Sequence, residues 1–226
     1  VTGRAQERGP RFKLKDCALI ALATGYRVLT LQEMRDRLVD VSADSVYCHF
    51  WGGLLQARFE EREFGNDFAA WARHGLHDAV LAERLAVIDA AALPTGEELR
   101  AAVLDVVEER IEEEPALARR PATREFHFIR AQVVVFETGH ELERPSELRG
   151  LVPNLSVGSV FFHFVEARRR HPEGLDDLSA WLSGQGDRYL SLTERLCAID
   201  PYFGSLVELR SAIAAVIDES LDGAAA

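Results

Sequence analysis

Ser45-Val46-Tyr47-Cys48-His49-Phe50 returns 114 positions downstream (159 against 45) as Ser159-Val160-Phe161-Phe162-His163-Phe164. A hexapeptide kept at that distance marks a duplicated unit and not a short-motif coincidence. In each copy a serine leads the run and a histidine follows at i+4, which share a face of a helix. Working outward, the two halves agree at Phe12 and Phe126, Thr24-Gly25 and Thr138-Gly139, and Glu33/Arg35 and Glu147/Arg149. Beyond the hexapeptide they agree at Asp67/Trp71 and Asp177/Trp181, Glu83-Arg84-Leu85 and Glu194-Arg195-Leu196, and Glu98-Leu99-Arg100 and Glu208-Leu209-Arg210. The register slips near Glu60–Phe64, where the first copy is longer, and a loop is expected there.

This alignment divides the chain into a disordered lead-in over 1–11, repeat 1 over 12–114 and a linker over 115–125. Repeat 2 follows over 126–222, with a frayed tail at 223–226. Pro115 and Pro121 stop a helix on either side of Arg119-Arg120. Helix starts recur in both halves. Thr30-Leu31-Gln32-Glu33, Thr95-Gly96-Glu97-Glu98 and Ser205-Leu206-Val207-Glu208 are capping boxes, and Pro145 stands where a first helical residue belongs. The last element of each repeat carries a helical apolar stripe: Leu99, Val103, Val106, Val107 and Ile111, then Leu209, Ile213, Val216, Ile217 and Leu221. Asp67, Asp177, Ser45 and Ser159 each stand at the head of an expected helix. The first element is ambiguous. Phe12–Ala23 reads as helix, whereas Val133-Val134-Val135-Phe136 reads as strand on propensity, and the Thr-Gly that follows fits a helix end or a hairpin turn. The helical reading is favoured. The expected fold class is therefore all-α: two homologous helical subdomains, a tandem duplication packed about a pseudo-two-fold.

Composition bounds the function classes. Hydrophobic residues make up 47% and charged residues 28% of the 226, as in globular chains and not disordered ones. The formal net charge of −11 repels phosphate backbones and anionic lipid, so neither nucleic acid nor membrane is an expected partner. The basic runs Arg119-Arg120 and Arg168-Arg169-Arg170 lack interleaved aromatics and read as solvated faces. Cys17, Cys48 and Cys197 are an odd set without CxxC spacing, and none is matched by the other repeat. That usage points to a reducing, cytoplasmic setting and away from a disulfide or zinc framework. No apolar run is long enough to span a bilayer.

The order Thr-Gly, an ELR-like helix, S-V-Y-x-H-F, Asn66-Asp67-Phe68-Ala69, Leu81 to Asp89 and E-E-L-R resembles an uncharacterised bacterial domain-of-unknown-function family. Some of its members are encoded near sugar-transferring enzymes. The match is close over Thr24–Ile111 and looser in the second half, where Asp176-Asp177-Leu178 replaces Asn-Asp-Phe and Phe162 replaces Cys48. The resemblance implies an all-helical tandem unit and carries no established reaction or catalytic residue.

Several residues qualify for chemistry. His49 and His163 could converge as metal ligands or as an acid and base; the plainer reading gives each a structural hydrogen bond within its own repeat. No E-x-x-H pair is shared by the halves to complete a di-metal site. The cluster His74-Gly75-Leu76-His77-Asp78 has no counterpart and ends at a glycine, a weak ligand set. Arg35, Arg149, Arg84, Arg195, Arg100 and Arg210 could line a pocket for a phosphorylated or carboxylated molecule, or they could brace retained carboxylates, which is the reading preferred. Trp71 and Trp181 read as core anchors that pack on the last helix of their repeat. No G-x-S-x-G or phosphate loop occurs, and no catalytic residue, cofactor or metal is assigned. The ligand-binding candidates are His49, His163, Arg35, Arg149, Arg84 and Arg195. The leading expectation is a non-catalytic binding or regulatory module for a protein partner or small acidic ligand, as monomer or homodimer. The alternatives are a metal- or histidine-dependent enzyme using His49 and His163, and a structural assembly protein.

Overall fold

The structure is a computed structural model that describes residues 10–51, 54, 63–90, 92–93, 95–201 and 204–223. The expected lead-in in its part up to residue 9, the loop expected near Glu60–Phe64 in its part up to residue 62, and the expected tail from residue 224 on lie outside the described residues. In repeat 1 the order is strand β1 (Phe12–Val28), then helices α1 (Leu31–Asp40), α2 (Ala43–Trp51), α3 (Asp67–His74), α4 (Ala79–Ala86) and α5 (Gly96–Glu113). Repeat 2 gives β2 (Phe126–Leu142), then α6 (Leu148–Leu151), α7 (Val157–Val160), α8 (Ala167–Arg170), α9 (Asp177–Ser183), α10 (Leu190–Cys197) and α11 (Leu206–Gly223). A π-helical turn, Phe161–Glu166, joins α7 to α8.

The all-α expectation is wrong at the first element of each repeat. β1 and β2 pair as a two-stranded antiparallel sheet, so the fold is mixed α/β. Local propensity misleads in repeat 1, where Ala18-Leu19-Ile20-Ala21-Leu22-Ala23 are good helix formers. The strand alternation lies at the start of each strand instead. Phe12 and Leu14 are buried around an exposed Lys13, and Phe126 and Phe128 are buried around an exposed His127. Thr-Gly neither ends a helix nor closes a hairpin. Gly25 (φ +81°) and Gly139 (φ +78°) sit inside the strands in a conformation that favours glycine. Across each glycine the threonine hydroxyl accepts the N–H two residues on. It also donates to a carbonyl of the other strand, Thr24 to Phe128 (2.6 Å) and Thr138 to Leu14 (2.7 Å).

The compact units do not follow the repeats. One comprises Val1–Ala18 with Val134–Ala226, the other Leu19–Val133, so the boundary falls within both strands. The helices of repeat 2 are completed by the first half of β1, and those of repeat 1 by the first half of β2. In the unit Leu19–Val133, Phe126 and Phe128 join a core with Met34, Phe68, Leu81, Leu99 and Val103. Phe68 stacks on Phe126, with ring centroids 5.0 Å apart. In the other unit Phe12 and Leu14 join Phe161, Phe164, Leu182, Leu196 and Ile213. Gly158 of α7 lies so close to β1 that an added Cβ would stand 2.3 Å from the Cys17 carbonyl oxygen, which fixes glycine there.

The expected helix starts form. Thr30/Glu33 and Thr95/Glu98 are reciprocal capping boxes, and Ser205 and Glu208 exchange the same two bonds. Leu99, Val103 and Val107 of α5, and Leu209, Ile213 and Ile217 of α11, face the cores. Ser159 departs from its expected place, since Ser156 caps α7, and so does Ser45. It lies inside α2, fully buried, and donates to the Ile129 carbonyl at 2.6 Å. Among the described residues no helix is long and apolar enough to cross a membrane.

Candidate functional site

Each unit holds one histidine of the repeated hexapeptide, 3% exposed in both cases. His49 Nδ1 lies 3.1 Å from Asp67 Oδ2, and His49 Nε2 accepts the Ile129 N–H at 3.3 Å. His163 Nδ1 lies 2.7 Å from Asp177 Oδ2, and its Nε2 accepts the Lys15 N–H at 2.9 Å. A ring nitrogen that accepts an N–H carries no proton, so Nδ1 holds the hydrogen and donates it to the aspartate. Both nitrogens are thereby used, one on a helix N-terminal carboxylate and one on the strand from the other repeat. Phe12 packs on His163 and Trp181, and Phe126 packs on His49 and Trp71. The indoles complete the pattern: Trp71 donates to the Arg124 carbonyl (2.8 Å) and Trp181 to the Pro10 carbonyl (2.6 Å). Both tryptophans are buried, as core anchors should be. Their ring contacts run to the incoming strand.

The retained arginines face carboxylates and carbonyls of their own repeat. Arg35 Nε reaches Glu108 at 2.8 Å, and Arg149 Nε reaches Asp218 at 2.9 Å. Arg84 pairs with Glu113 at 2.9 Å, and Arg195 with Glu219 and Ser220. Arg100 donates to the Val39 carbonyl (2.6 Å) and Arg210 to the Leu155 carbonyl (2.7 Å). These six guanidinium groups are thus tied to α5 or α11 and the turns beside them. The cluster at His74 is a helix end: His74 Nε2 meets Glu63 at 2.8 Å, while Asp78 caps α4 and takes Arg110 Nε at 2.8 Å. Among the described residues no group of three or more His, Cys, Asp or Glu side chains is arranged to hold a metal ion.

The two histidine sites differ at the aspartate. Asp177, besides His163, takes Arg170 at 2.8 Å on Oδ2 and His171 Nε2 at 2.7 Å on Oδ1. Burial opposes its ionisation, but the hydrogen bonds from His163, Arg170 and His171 prevail and hold the carboxyl down at about 2. Its neighbour Asp176, the buried N-cap of α9, is instead pushed up by burial. Beside the cluster opens a cleft of about 270 Å³ lined by His171, Pro172, Glu173, Leu175, Ala180 and Ser183. His171, Arg170 and Glu173 were missed because the comparison of halves kept only residues present in both, and this segment aligns with the longer part of repeat 1. The available signal was Asp177 itself, with Arg170 seven and His171 six residues before it. Arg170 is exposed, as the solvated-face reading has it, and also pairs with Asp177. The thiols are not reactive groups of this site: burial, then Asp16, raises Cys17 to about 12, and burial, then Asp67, raises Cys48 to about 11.

Strand-completed helical units in tandem, each locked by a carboxylate–histidine–strand bond, define the class to which this chain is assigned. The chain belongs to the Family of unknown function (DUF5752), whose model matches residues 9–218. Among solved structures it is similar to OrfY from Thermoproteus tenax, at 26% identity and a TM-score of 0.80, covering 95% of this chain and 97% of that one. No curated protein matches.

Proposed function

We propose that the protein is a non-catalytic binding module that recognises a small molecule at the His171 cleft. The observation that carries this reading is the full use of both ring nitrogens of His49 and His163. An imidazole that donates to a carboxylate and accepts a backbone N–H has no lone pair for a metal and no vacancy for a substrate proton. The repeated histidines, tryptophans and arginines build the scaffold, and recognition is left to what one unit has and the other repeat does not align with: Asp177 with three donors, and the cleft beside it. The arginines expected to hold an acidic ligand are occupied, which moves the ligand site away from Arg35, Arg84, Arg149 and Arg195. The setting proposed is cytoplasmic, in keeping with three free cysteines. A bacterial origin and a genetic neighbourhood of sugar-transferring enzymes belong to this proposal and make sugars and sugar phosphates natural members of any ligand screen.

The test is a thermal-shift screen on the full chain with sugars, sugar phosphates, amino acids and amines, read beside metal analysis. A ligand at a hundred times its dissociation constant adds about 2.7 kcal/mol to the folded state. The expected result is a class of hits whose shift disappears in a variant altered at Glu173. Stoichiometric metal lost on His49→Ala, with turnover that requires it, would replace this reading by the enzyme alternative.

A further inference from the structure

The polar groups that line the His171 cleft offer hydrogen-bond acceptors. Asp177 is ionised, so the 2.7 Å contact with His171 Nε2 needs the imidazole hydrogen on Nε2, and neutral His171 presents Nδ1 as a lone pair. Ser183 spends its hydroxyl hydrogen on the Ser179 carbonyl at 2.9 Å and keeps only lone pairs for the cleft. Glu173 is a carboxylate with no ion pair to any described residue. The backbone adds few donors: Pro172 has no N–H, and the N–H groups of His171, Gly174 and Ala180 are taken by Ala167, His171 and Asp176 carbonyls at 2.9, 3.0 and 2.9 Å. The remaining wall, Leu175 and Ala180, is apolar.

We infer that the cleft binds a small organic cation carrying a primary ammonium group, held between Glu173, His171 Nδ1 and Ser183 Oγ, with its alkyl part against Leu175 and Ala180. This rests on the binding-module reading and names its ligand class. An ammonium brings three donors to three acceptors and neutralises the one carboxylate that lacks a partner there. An anion would meet lone pairs and a negative charge. Asp177 does not compete for the ligand, because His163, His171 and Arg170 already occupy its oxygens. The net charge of −11 draws cations toward the surface as a whole.

The experiment is amide NMR and calorimetry on the full chain with putrescine and methylamine, and with inorganic phosphate and glucose 6-phosphate as the contrast. The amines should shift amides over residues 171–183 saturably. Glu173→Gln, a surface change that leaves the fold intact, should weaken them about tenfold or more. Amines that leave these amides unmoved, or that bind Glu173→Gln equally well, overturn the cation assignment. If phosphates move the same amides instead, the ligand class is wrong while the binding-module reading stands. If no compound of either kind moves them, the cleft is not a small-molecule site, and both statements fail together.

Discussion

Asp177 accepts hydrogen bonds from His163, Arg170 and His171, and its depressed pKa is a statement about stability at low pH. Folding lowers the value from near 3.9 in an unfolded chain to about 2. The stabilisation is therefore complete above pH ~4 and is lost as pH falls through ~2, because below that both states are protonated. With the side chain 14% exposed, the contribution is about 2 kcal/mol. Urea midpoints measured from pH 5 to 2 should fall more steeply for the native chain than for Asp177→Asn; equal slopes would show that the three bonds do not favour the charged form. The cysteines give a second check. Cys17 and Cys48 are buried with raised pKa values, whereas Cys197 is exposed. A disulfide-exchange reagent at pH 8 should titrate one thiol in the native protein and three in denaturant. At this scale the sequence was legible at the histidines and aspartates that occur in both repeats: His49 with Asp67 and His163 with Asp177 stand at matching places. The donors to their Nε2 atoms were not legible, since they are the backbone N–H groups of Ile129 and Lys15, which carry no side-chain signature.

β1 and β2 are where the elements were misread, and the reason lies in how each strand is held. Each is anchored by two aromatic or aliphatic residues at its start, Phe12 and Leu14 or Phe126 and Phe128, inside a core built from distant helices. Such contacts override the helix propensity of Ala18–Ala23, which local sequence weighs first. Val133–Phe136 held the correct signal, and since duplicated copies share one structure it outweighs the alanines. The capping boxes and apolar stripes of α1, α5 and α11 were legible because they are complete within four residues or one helix face. Exchange of strands between repeats makes a prediction that an unexchanged fold does not. Phe12→Ala should disturb Trp181, and Phe126→Ala should disturb Trp71, each at a cost of ~3–5 kcal/mol. Emission read in variants that retain a single tryptophan will show which indole responds. If Phe12→Ala perturbs Trp71 and leaves Trp181 unchanged, the strand assignment is wrong. At α7, Gly158→Ala should destabilise comparably to a core truncation, because the added methyl meets, beside the Asp16 carboxylate, the Cys17 carbonyl, which is backbone and cannot turn away.

Neither repeat contains all the residues of either compact unit, since the boundary falls at Ala18–Leu19 and Val133–Val134. Cleavage between Arg119 and Arg120 would separate Phe126 from His49 and Phe12 from His163. The two purified fragments should each lack cooperative unfolding, and mixing them should restore it. Fragments that unfold cooperatively alone would show that each repeat closes on itself. The same arrangement sets a timetable for the newly made chain. Phe126 and Phe128 emerge after the helices of repeat 1, so the unit Leu19–Val133 finds its last strand as soon as that strand is synthesised. Phe12 has no such luck. Its partner Trp181, which donates to Pro10 across 171 positions, follows by roughly 10–30 s at ordinary elongation rates. For that interval an apolar strand end waits without its groove, and Lys13, Lys15 and Asp16, set among Phe12, Leu14 and Cys17, keep it from pairing with another nascent chain. The charges that look incidental in the finished protein are guards for the unfinished one.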